Sequence, residues 1–162
     1  KTAYEIRPRD WSSDVCSSDL DARATTGGWA LRGPFCDGWP INHLVADPAR
    51  GTLFAAASNP WFGPAIWRSE DLGATWTHSS AGLAYPDGTA VTGAWHVTPA
   101  DGVVYAGVEP AGLFRSGDDG RTWDHVAGLT DHPSRPTWMP GAGGLICHTI
   151  LVDPEEIGRA HV

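Results

Sequence analysis

Ser69-Glu70-Asp71-Leu72-Gly73-Ala74-Thr75-Trp76 and Ser116-Gly117-Asp118-Asp119-Gly120-Arg121-Thr122-Trp123 are two copies of one octad, Ser-x-Asp-x-Gly-x-Thr-Trp, with five identities at the same spacing. Each shared residue type suits a tight turn between two strands. Gly73 and Gly120 permit the positive φ that a tight hairpin needs. Asp71 and Asp118 can accept turn N–H groups, and the hydroxyls of Ser69, Thr75, Ser116 and Thr122 can close further local bonds. Trp76 and Trp123 fall where an outgoing strand can turn a large apolar ring inward. Structural work of this kind occupies the acids, so Asp71, Asp118 and Asp119 are set aside as catalytic candidates.

The match extends outward from the octads. Ile66-Trp67-Arg68 corresponds to Leu113-Phe114-Arg115, and the stretch from Asp47-Pro48 to Ala55 corresponds to that from Thr98-Pro99 to Ala106. A longer loop over 57–64 in the first copy accounts for the changed offset. The repeats run over about 41–92 and 93–145, and a third begins at Ile146 and reaches Asp153-Pro154. Apolar runs bounded by turn signals predict strands at Asn42–Ala46, Thr52–Ala57, Ala65–Ser69 and Ala74–Ser79. No helix-length window carries helical periodicity. The fold class expected is all-β, built of antiparallel four-stranded sheets.

With a period of about 50 residues and one aromatic-glycine motif per period, the octad resembles the Asp-box, or bacterial neuraminidase repeat. That resemblance covers nearly all of residues 21–155 and implies a β-propeller. The chain would supply about two blades and the first strand of a third, short of the four or so that close a propeller. In the superfamily the Asp-box lies on the blade periphery and marks fold rather than function. The long, Trp-rich loops are most similar to bacterial sialidase-like glycosyl hydrolases. The sialidase Arg-Ile-Pro segment is absent, and the nucleophilic tyrosine with its glutamate has no counterpart here. Arg68 and Arg115 sit at equivalent places beside the octad and Tyr105 aligns with Phe54, which suits repeat structure. Two readings stay open: a carbohydrate-directed, glycosyl-hydrolase-type protein, and a non-catalytic propeller that scaffolds a protein partner.

Both ends of the chain read differently. Residues 1–20 show neither strand alternation nor helical periodicity and resemble a translated sequencing adapter, as do residues 156–162. The natural sequence is therefore expected over 21–155, with disordered ends. Setting the ends aside removes Glu5, Asp10, Asp14, Asp19 and Glu156 from the 19 acidic residues. It also removes Lys1, Arg7, Arg9 and Arg159 from the 11 basic ones, and the remainder stays acidic. Such a balance, without a basic run, argues against nucleic acid and against an anionic membrane surface. No stretch approaches the ~20 apolar residues that span a bilayer. Cys36 and Cys147 are too far apart in sequence to define a metal site or a disulfide framework, and free buried thiols are expected. No cofactor is implied, and localisation does not follow from the sequence.

Three loop segments depart from the repeat: 33–43, 59–63 with its shorter equivalent 109–112, and 130–139. They hold exposed-type aromatics beside polar groups, a combination that suits sugar rings. Trp39, Asn59, Trp61, Asp131, His132 and Trp138 are the candidate ligand-binding residues. Glycosidases place two carboxylates roughly 5–9.5 Å apart, and Glu109 and Asp37 are the candidate catalytic pair. His43, His96 and His148 start successive copies in a ragged register that matches no metal motif. They read as core or loop histidines, with convergence toward a common axis as the alternative.

Overall fold

The computed structural model describes residues 19–25, 28–141 and 143–153. Most of the two terminal segments expected to be foreign lies outside that range. A first hairpin pairs β1 (Asp19–Thr25) with β2 (Gly28–Phe35), starting at Asp19, which pairs with Phe35.

Two four-stranded antiparallel sheets follow, each a simple meander. The first contains β3 (Ile41–Asp47), β4 (Thr52–Asn59), β5 (Gly63–Ser69) and β6 (Thr77–Ser79). The second contains β7 (Gly93–Ala100), β8 (Val103–Glu109), β9 (Gly112–Ser116) and β10 (Asp124–His125). The first sheet lies within residues 41–79 and the second within 93–125. The strand expected at Ala74–Ser79 starts only at Thr77, because the Asp71 carboxylate accepts the Thr75 N–H and holds that residue in the turn. Both first strands also carry the same irregularity, a register break after Ile41 in β3 and after Ala94 in β7.

The sheets pack through β7, which lies across β3, β4 and β5. Phe54, Ile66, Val97, Val104, Val108 and Phe114 are fully buried between them, with Trp123 closing one side. Complete burial of such a side chain stabilises by about 1.5–3 kcal/mol. The connection over 80–92 is drawn onto this core by Leu83, Tyr85 and Val91. Its Ala81 carbonyl accepts the Trp123 N–H at 2.9 Å. Gly82 is required beside it, since a Cβ there would stand 2.1 Å from the Trp123 carbonyl oxygen.

The segment expected to open a third copy with a strand does not form one. Over 146–153 the backbone is irregular and lies on the second sheet, where Cys147 N–H donates to the Val108 carbonyl and Leu145 O accepts from Ala111 N–H. A strand needs a neighbour with free backbone groups to complete its hydrogen bonding, and β8, on which this segment lies, is already paired on both sides by β7 and β9. Gly107 allows the close approach, with Cys147 O only 2.2 Å from where a Cβ would be. Cys36 and Cys147 are both free thiols.

Candidate functional site

The two octads form one hydrogen-bonded structure twice. Ser69 Oγ donates to Asp71 Oδ1 at 2.8 Å and accepts the Gly73 N–H at 2.8 Å. Thr75 sends its amide to Oδ1 and its hydroxyl to Oδ2. Ser116, Asp118, Gly120 and Thr122 repeat each bond within 0.1 Å of these lengths. Thr75 first, then Ser69, hold the Asp71 carboxyl down to about 2, and the equivalent bonds lower Asp118 further. Such carboxylates are fixed anions with their acceptor sites engaged, which suits a structural role.

Strand directions place these turns at one end of the sheets, with the Asp47–Thr52 turn and the Arg50–Asp119 ion pair. The candidate loops sit at the opposite end. There the irregular residue of each first strand reaches the end of the strand that follows it. Asn42 Nδ2 donates to Ser58 Oγ at 2.9 Å and to Ala94 O at 2.8 Å, and Trp95 Nε1 donates to Glu109 Oε2 at 3.2 Å. Glu109 is half-buried, and Gly144 leaves it room, since a Cβ at 144 would lie 2.6 Å from Oε1. Asp37 is exposed in the turn leading into β3, whereas Glu109 ends β8 on the other sheet.

Asn59 is buried and organises its loop. Its Oδ1 accepts from Trp61 and Phe62 N–H, and its Nδ2 donates to Gly38 O at 2.8 Å. Trp39 is also buried, packed against the partly buried Trp67 and stacked on Phe62 with centroids 5.9 Å apart. That leaves Trp61, 90% exposed, and Phe62, 74% exposed, as the aromatic surface of the loop.

Compared with known proteins, the chain matches no family model and no curated relative.

The third segment folds around Arg135. Its guanidinium donates to Ala111 O at 2.6 Å and lies 5.5 Å from the Trp138 ring centre. Trp138 Nε1 donates to Ser134 Oγ, and the His132 ring lies roughly parallel to Trp138 and bonds Ser134 through Nδ1. Asp131 is exposed at the rim. Sequence reasoning passed over Arg135, although it is the sole cation in its loop.

Two of the three histidines meet in the structure. His43 and His96 stack with ring centroids 3.9 Å apart and 28° between planes, and His43 Nδ1 accepts the Val97 N–H. Burial lowers the pKa of both, and His43 and His148 depress His96 further. Among the described residues no group of three His, Cys, Asp or Glu side chains is placed to hold a metal ion.

Proposed function

We propose that this chain is part of a sialidase-like Asp-box β-propeller that binds carbohydrate at the end opposite the Asp-boxes. The two sheets are neighbouring blades in this reading, with β3 and β7 nearest the axis. It is supported by the duplicated turn network and by β7 packing across the first sheet next to β3. The observation that carries the choice of ligand is the Trp61–Phe62 surface, held outward by a buried asparagine beside polar loops. An exposed indole offers a flat apolar face to the C–H side of a sugar ring and shields little else. In a glycoside hydrolase of this form, Glu109 is the candidate for proton transfer, since the Trp95 indole N–H orients it and Gly144 leaves it room.

Titration of the protein with an oligosaccharide panel, followed by tryptophan fluorescence, tests the reading. Trp61→Ala is expected to weaken saccharide binding about tenfold, the equivalent of 1.4 kcal/mol, with the melting temperature unchanged. Glu109→Gln is expected to abolish any glycoside turnover while binding persists. Failure of every saccharide to bind, with a defined protein partner bound through Trp61 instead, would establish the scaffold alternative.

A further inference from the structure

A polar cavity of about 400 Å³ opens between the 85–89 stretch of the inter-sheet connection, the loop at Pro110 and the segment after β10. That volume lies within the range of roughly 300–1,000 Å³ usual for small-molecule sites. Tyr85, Asp87, Thr89, His125, Asp131 and Arg135 supply its chemistry.

Several of these groups are already held rigidly. The Tyr85 hydroxyl donates to Pro110 O, and its ring meets Phe114 and His125 edge-on at 5.5 and 5.3 Å. His125 Nε2 is bonded to Thr130 Oγ1 at 3.1 Å. Arg135 is anchored through one terminal nitrogen to Ala111 O, so the rest of its donor fork stays available. Asp87 accepts the Thr89 N–H through Oδ1 and is also engaged by the Thr89 side chain, which leaves part of the carboxylate's acceptor capacity. No side-chain bond to the Asp131 carboxylate is formed among the described residues. Unspent acceptors and donors thus converge on a pre-formed space, the arrangement that lowers the ordering cost of binding.

We propose that this cavity binds a neutral pyranose, with Asp87 and Asp131 accepting sugar hydroxyls and Arg135 donating to them. Two carboxylates against one guanidinium leave the cavity with an excess of negative charge, which disfavours an acidic sugar such as a sialic acid. The inference rests on the carbohydrate reading above and sharpens it to a substrate class.

Nuclear magnetic resonance titration of the full chain with methyl glucoside, and separately with N-acetylneuraminate, decides the matter. The expected result is saturable shifts of the His125 and Thr130 signals with methyl glucoside. Asp131→Ala and Asp87→Asn should each weaken them at least tenfold, with the remaining spectrum unchanged. Trp61→Ala should leave them intact. Stronger binding of N-acetylneuraminate, or shifts indifferent to both aspartate variants, would overturn the assignment. Oligosaccharide binding lost in Trp61→Ala but kept in Asp131→Ala would remove the cavity and spare the carbohydrate reading. No saccharide binding at all would remove both.

Discussion

At the residue scale, the octad aspartates tie the fold to acidity. Asp71 has its pKa lowered to about 2 by Thr75 and Ser69, and Asp118 shifts in the same direction. The folded state then holds fewer protons than the unfolded chain between the unfolded value of about 4 and the folded one. This stabilisation is complete above the unfolded value and disappears as pH falls through the folded one. Urea melts between pH 5 and pH 2 should show stability falling with pH, and Asp71→Asn should flatten part of that slope. Gly120 makes a second case. At φ 78° a side chain is strained, and a Cβ would meet the Trp123 ring at 3.4 Å and Phe54 at 3.6 Å. Gly120→Val is expected to cost about 1–3 kcal/mol from the backbone alone, visible as a lower urea midpoint. These turns were legible because every bond in them spans four residues or fewer. Less legible was that Leu72 also takes positive φ, at 55°, as Asp119 does at 60°, since leucine, unlike aspartate, does not favour that region.

Elements were legible wherever local pattern decides them, and obscured wherever a neighbour does. Trp76 and Trp123 occupy one motif position, yet Trp123 is 3% exposed in the inter-sheet core and Trp76 is only half-buried. The difference comes from what faces each ring. Trp123 has the first sheet to pack against, with Phe54 among its cluster, whereas Trp76 joins a smaller group containing Trp39 and Ala65. Trp123→Ala should therefore cost about 3–5 kcal/mol, the range for a buried aromatic, and Trp76→Ala distinctly less. Equal losses in equilibrium denaturation would contradict this packing. The same dependence explains the segment after Leu145, which has strand-like sequence but is held on the second sheet through Val108 and Ala111. It also explains Trp39 and Asn59, whose loop position suggested ligand contact but whose side chains are buried supports.

On the scale of the whole molecule, what the sequence obscured is what only long-range packing assembles. The polar cavity unites Asp87 from the connection with His125 of β10 and Arg135 from beyond that strand, and no spacing rule links them. The stacked histidines are of the same kind, brought face to face because β7 crosses β3 with their irregularities aligned. Burial dominates the lowered pKa of each, the neighbouring imidazoles add to that of His96, and bonds from Val97 and Ile150 partly oppose it. Two imidazolium rings 3.9 Å apart would repel across the joint between the sheets. Because the folded values lie below the unfolded value of about 6.5, the unfolded chain takes up protons first as pH falls. The stabilisation is intact above about pH 6.5 and declines as pH drops toward the folded values. His43→Phe keeps a stacking ring and removes one titrating group, so its stability should change less between pH 7.5 and pH 5 than that of the parent chain. Denaturation midpoints across that window measure the slope directly. An undiminished slope in His43→Phe would mean that the sheet-to-sheet joint takes its acid sensitivity from groups other than this pair.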